Sequence, residues 1–261
     1  MNRSWASRAL AAATSVLAVA GLAASAVLTG HLPSEGGMGH AAVALAVPMP
    51  VAAAPKAAQP AGPRPTLIAT LDAATAYSAG PGLPTVGVLP ATNPFGAPEV
   101  LAVVGRPDLF GWMQVELPIR PDGSRGWIRA AGITLSQTSY RVLVNRETDT
   151  VTITDAGRVV LTVPSAVGKP STPTPAAHTY LWELIRPDDP TGAYGPYIFG
   201  LALFSNAYSV FNGGDAQIGL HGQDEPWSIG HPVSHGCVRV ANNVISKLAA
   251  MLPLGTPVTI T

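Results

Sequence analysis

The chain has 261 residues, enough for one or two folded domains with tails. Charged residues make up only 11% of it, fifteen basic against fifteen acidic, so it lacks the cationic surface that displaces counterions from a phosphate backbone, which argues against nucleic-acid binding. Twenty-seven glycines and 26 prolines point to strands, turns and linkers, 47% apolar residues suffice for a buried core, and the single cysteine, Cys237, rules out an intramolecular disulfide framework and a cysteine-rich zinc ribbon.

The N-terminus reads as an export segment over residues 1–30. Arg3 and Arg8 precede an uncharged run from Ala9 to Thr29. As a helix that run spans about 31 Å, enough to cross a hydrocarbon core of about 30 Å. Two readings stand side by side. A cleaved secretory signal has small-residue sites at Ala24-Ser25-Ala26 and Ala44-Leu45-Ala46. An uncleaved anchor uses the same span as a membrane helix with its basic end inside. Both place the remainder outside the cytoplasmic membrane, in the cell envelope. Residues 31–66 are rich in Ala and Pro and read as an extended spacer, with His31 and His40 as solvated linker positions.

From 67 to 136, short apolar runs alternate with turn signals at Gly80-Pro81-Gly82, Asn93-Pro94 and Pro121-Asp122-Gly123. That rhythm predicts a small antiparallel barrel or sandwich. Gly111-Trp112 and Gly126-Trp127 open two strands that pair across the last turn, a pattern that resembles bacterial Src-homology-three-like barrels. Tryptophans in such barrels are usually core, so Trp112 and Trp127 are expected inside rather than on a ligand platform.

The segment 138–261 predicts a mostly-β domain with a helix near its end. Strands are expected over Tyr140 to Val144, Thr150 to Thr154, Val159 to Val163, Thr179 to Leu184, Ile198 to Phe204, Gln217 to Leu220 and Val258 to Ile260. Asp155-Ala156-Gly157 marks a hairpin. The spacing of Val244, Ile245, Leu248 and Met251 predicts a helix over Asn242 to Met251, ended by Pro253.

Chemistry-bearing residues concentrate between His221 and Arg239, which holds three of the six histidines and the only cysteine. A thiol with a pKa near 8.5 is mostly protonated at neutral pH, and an imidazole in reach supplies the missing activation. His221 closes a strand-like run, and a loop folding back brings Cys237 to it. His235, two residues before Cys237, points to the same side of an extended segment, so spacing alone does not choose the base. Gly236 permits a crowded turn, and the amides of His235, Gly236 and Cys237 could then converge on an oxyanion. Two plainer readings compete. A lone cysteine is often a small buried hydrophobe, and His221, His231, His235 and Cys237 also offer zinc-type ligands, although no H-E-x-x-H spacing accompanies them.

His221-Gly222, Gly230 and the block Ser234-His235-Gly236-Cys237-Val238-Arg239 together resemble the signature of the L,D-transpeptidase catalytic domain family. The run from Val163 to Pro175, with its Gly-Lys and Thr-Pro pairs, is similar to that family's strand and loop. The resemblance implies a β-sandwich catalytic domain behind the small barrel. It implies Cys237 as nucleophile and His221 as general base and acid, oriented by the Gly222 carbonyl. His235 and Gly236, with the Cys237 amide, would form the oxyanion site beside Ser234. Arg239 would pin the nucleophile loop rather than meet a substrate carboxylate. No cofactor or metal is implied. Expected partners are peptidoglycan stem peptides, with carbapenem-type β-lactams as inhibitors. The implied reaction links third residues of two stems through a thioester. L,D-carboxypeptidase trimming at the same site and non-catalytic wall binding are the alternatives. Two departures touch the substrate groove: Ala176-Ala177-His178 stands where the family usually has a glycine, and Gln223 where it often has a small hydroxylated residue.

Overall fold

The computed structural model describes residues 63–261, so the expected export segment and most of the spacer lie outside the described residues. Seven short strands form the first sheet: β1 (Thr66–Leu71), β2 (Thr75–Ser78), β3 (Thr85–Leu89), β4 (Val100–Val104), β5 (Trp112–Glu116), β6 (Arg125–Arg129) and β7 (Ile133–Thr138). Their order is β3-β2-β6-β5-β4-β1-β7, and every neighbouring pair is antiparallel. Ala69, Leu101, Met113, Val115 and Ile128 fill its core.

The tryptophans correct one expectation. Met113 and Val115 take the core face of β5, and the twofold alternation of a strand then turns Trp112 to the other face. Ile128 does the same to Trp127 on β6. Both rings are half-buried outside the core, and the Arg129 guanidinium lies 4.3 Å from the centroid of Trp112, its cross-strand partner.

Only Ser139 separates the first sheet from the second. The second is built from β8 (Tyr140–Asn145), β9 (Thr150–Asp155), β10 (Arg158–Pro164), β12 (Ala177–Ile185), β13 (Ile198–Phe204), β14 (Gln217–His221), β16 (Val238–Arg239) and β17 (Pro257–Ile260). Their order is β10-β9-β8-β17-β12-β13-β14-β16. Two short strands, β11 (Val167–Gly168) and β15 (Pro232–Ser234), pair in parallel beside it. The β9–β10 hairpin turns through Ala156 and Gly157, both at positive φ, as a tight two-residue connection demands. Helix α1 (Asn242–Met251) inserts Ile245 and Leu248 into a core shared with Val142, Ile153, Leu201 and Ile218.

The two sheets pack through β12. Tyr180 and Trp182 meet Ala102 and Ala202 in a separate buried cluster. The Tyr180 hydroxyl donates to the Glu116 carbonyl at 3.2 Å, and Trp182 Nε1–H donates to Glu99 Oε1 at 2.8 Å. A second clamp comes from the β5–β6 turn. Arg120 donates to the carbonyls of Ser205, Tyr208 and Asp215 at 3.0–3.2 Å, and Asp122 Oδ1 accepts from the Phe204 amide at 3.0 Å.

Candidate active site

Strand alternation divides the second sheet into two faces. Leu201, Ile218, Leu220 and Val238 point into the core. Gly219 and His221 of β14 therefore share the opposite face. Leu220 pairs with Val238 and His221 with Arg239 in a parallel ladder, which sets Cys237 beside Gly219 on that face. The Gly219 amide donates to Cys237 Sγ at 3.3 Å. Cys237 and His221 both line two adjoining cavities of about 220 and 490 Å³.

The imidazole is held from behind. His221 is 3% exposed, and its Nδ1 lies 2.5 Å from the Gly222 carbonyl oxygen. A carbonyl only accepts, so Nδ1 carries the proton and Nε2 keeps its lone pair. Burial pulls the His221 pKa down to about 4, opposed by the Gly222 bond and assisted by the Arg239 charge. Tyr194 closes one side, its ring 5.0 Å from the imidazole at 66°. Gly222 admits no side chain, because a Cβ there would stand 2.4 Å from Asn242 Oδ1, which accepts from the Gln223 amide.

Cys237 is half-buried, and desolvation raises its thiol pKa against the opposing pull of the Gly219 amide and Arg239. The pair therefore rests as neutral thiol and neutral imidazole. Proton transfer between them can accompany attack on a bound acyl group rather than precede it.

The loop before Cys237 is fixed by the segment after β11. Thr174 Oγ1 donates to the Gly236 carbonyl at 2.7 Å and accepts from the Gly168 amide at 2.8 Å. Thr172 Oγ1 and the Lys169 amide both donate to the Ser234 carbonyl. Ser234 is buried, and its hydroxyl donates to the Cys237 carbonyl at 2.6 Å. Ser234 Oγ also accepts from the Gly236 amide at 3.0 Å. That last bond corrects the expected three-amide nest: the Gly236 N–H is already committed, and Gly236 serves the loop through its φ of 126°. His235 is exposed at the cavity rim, its ring 5.6 Å from that of Phe211.

Arg239 meets Glu225 at 2.9 Å, tying β16 to the loop that follows Gln223. Its backbone exchanges two hydrogen bonds of 2.8 Å with Ala166. His231 is exposed, and among the described residues no three His, Cys, Asp or Glu side chains gather as a metal site. The residue-by-residue reading missed Tyr194, Gly219, Thr172, Thr174 and Arg120. Thr172 and Thr174 left a trace in the Thr-Pro pairs after β11, and Gly219 left one as a glycine inside an apolar strand.

Residues 139–260 match the family model of YkuD, described as L,D-transpeptidase catalytic domain. The protein YkuD of Bacillus subtilis (strain 168), which bears an L,D-transpeptidase name, is 37% identical over 121 residues, covering 46% of this chain and 65% of that protein. The chain thus spans just under two thirds of that relative's length. Among solved structures, a mutant of the Enterococcus faecium L,D-transpeptidase aligns over 47% of this chain and 50% of its own, with 24% identity and a TM-score of 0.37. L,D-transpeptidase 3 of Mycobacterium tuberculosis, in complex with a faropenem-derived adduct, aligns over 62% of this chain and 91% of its own, with 15% identity and a TM-score of 0.41. Over residues 139–260 this chain is thus similar to the YkuD family of L,D-transpeptidase catalytic domains.

Proposed function

We propose that the protein is an exported L,D-transpeptidase that cross-links third residues of peptidoglycan stem peptides in the cell envelope. The observation that carries this reading is that Cys237 lines the same cavity as a His221 whose bond to the Gly222 carbonyl leaves Nε2 basic. In the first half-reaction His221 Nε2 takes the thiol proton as sulfur attacks the carbonyl between the third residue of a tetrapeptide stem and its terminal D-alanine. The new S–C bond forms, the C–N bond breaks, and the imidazolium returns its proton to the departing amine. In the second, a side-chain amine of another stem attacks the thioester. The S–C bond breaks, and the amine's proton passes through His221 back to sulfur. The amides of His235 and Cys237 would face the oxyanion, and such donors contribute about 3–4 kcal/mol each. The reading needs thiol, imidazole and amides, and no cofactor.

Residues 1–30 would export the chain, as signal or membrane anchor. Carbapenem-type β-lactams would acylate Cys237. Intact-protein mass after carbapenem incubation tests this: the parent gains one adduct and Cys237→Ala gains none. An unmodified parent overturns the proposal. Incubation with tetrapeptide stems then separates cross-linked dimer from the trimmed tripeptide that an L,D-carboxypeptidase would leave.

A further inference from the structure

Strand β12 buries a carboxyl group on the cavity side of the second sheet. Glu183 is 1% exposed, and neither of its carboxyl oxygens has a hydrogen-bond partner among the described residues. Buried acceptors are rarely left unpaired in native proteins, so both oxygens are open to a partner from the cavity. Gln217 Nε2 lies against this carboxyl with one hydrogen free to turn toward it, the other going to the Leu201 carbonyl at 3.0 Å.

Register connects Glu183 to the cysteine. Glu183 pairs with Gly200, Gly200 with Gly219, and Gly219 stands beside Cys237. Both intervening positions are glycines, so no side chain separates the two ends of the row. A Cβ on Gly200 would stand 2.5 Å from Glu183 Oε1, which places the carboxyl over Gly200 on the cysteine's side of β12. From there to the cysteine is two strand spacings, roughly 10 Å. Glu183, Asp215 and Cys237 line the same 490 Å³ cavity.

This geometry suits a ligand that is acylated at one end and cationic at the other. Five bonds separate the α-carbon of a lysine-type diamino acid from its terminal nitrogen, roughly 6 Å, and the acyl carbon and sulfur add the remainder. We infer that Glu183, assisted by Asp215, seats the side-chain ammonium of the acyl donor's diamino acid and thereby selects stems that carry one. This inference rests on the transpeptidase reading and names the substrate feature its site would recognise. Burial lifts the Glu183 carboxyl to about 7, with Gln217 opposing and Asp215 adding to the rise. The other ionisable groups near it are Glu99 of the first sheet and His221 across the cavity. An ammonium partner stabilises the ionised form, so preference for it grows as pH rises through 7.

The test measures binding to full-length Cys237→Ala, which cannot consume the ligand. The two probes are the tetrapeptide L-alanyl-γ-D-glutamyl-L-lysyl-D-alanine and the same peptide acetylated on its lysine side chain. At pH 8 the free amine is expected to bind at least tenfold tighter, and at pH 5.5 the difference shrinks severalfold. Adding Glu183→Gln removes the difference at both pH values. Equal affinities for the two peptides overturn the inference, as does a preference that survives Glu183→Gln. Should that variant fail to fold, the pH series on Cys237→Ala decides, and a preference flat across it overturns the inference. A failure of the transpeptidase reading shows elsewhere, as an unmodified thiol in carbapenem, so the two failures are distinguishable.

Discussion

His221 is fixed by a bond that an accepting atom makes possible. Because the Gly222 carbonyl can only accept, the ring proton stays on Nδ1, and burial holds the pKa at about 4. The basic form then persists well below the usual histidine range. Carbapenem acylation should stay flat from pH 7 to about 5 and fall only toward 4, and stopped-flow rates across that range check this. A midpoint near 6.5 would mean that the imidazole is solvated. Replacing His221 by Gln should slow acylation about 10²- to 10⁴-fold, the usual contribution of a general base. Spacing brought His221, His235 and Cys237 forward as candidates, and only the family resemblance preferred His221 to His235 as the base. Glu183 was not among them. An isolated glutamate in a strand has no local signature, and its relation to Cys237 arises only when three strands align Gly200 and Gly219 between them.

The elements show where patterning suffices and where it stops. Helix α1 occupies Asn242–Met251 as its apolar spacing predicts, because only one face of that segment can be buried. The strands of the second sheet match their expected runs within one or two residues, except β16, for which no run was expected. The faces of β5 and β6 resisted the same logic. Tryptophan's bulk suggested core, yet Met113, Val115 and Ile128 claimed those positions. The Arg120 clamp was also invisible, since it joins residues 85 to 95 positions apart. It holds the 205–216 loop, whose Tyr208, Phe211 and Asn212 line the cavity beside Cys237. Replacing Arg120 by Ala removes three charge-assisted bonds to backbone carbonyls. Amides of 205–216 should then exchange more than tenfold faster by mass spectrometry. Acylation efficiency should drop roughly 10- to 100-fold, because small displacements of positioning groups cost that much. Unchanged exchange would show that the loop holds itself.

Across the whole molecule, carboxyls sit where the two sheets meet. Burial raises Glu99, Glu116 and Glu183 to about 7 each. Their folded pKa lies above the unfolded value near 4.5, so the native state binds these protons more tightly. That contribution is complete below about 4.5 and is lost as pH rises through 7. His221 runs the other way: its folded value lies below the unfolded one, so its contribution is complete above about 6.5. Between pH 6.5 and 8 the carboxyls dominate, and the thermal midpoint should fall by several degrees at roughly 2–4 °C per kcal/mol. Glu99→Gln retains an acceptor for Trp182 Nε1 and should flatten the fall in a calorimetric pH series. A midpoint that rises over that interval would mean these groups are ionised and solvated.

Ser139 alone links β7 to β8, with Thr138 Oγ1 accepting from the Tyr140 amide at 3.1 Å across it. So short a tether leaves no slack for one sheet to swing while the other stays put. Pro94 and Phe95 of the first sheet's loops and Cys237 of the second border one hollow. The first sheet is thus one jamb of the doorway that leads to Cys237.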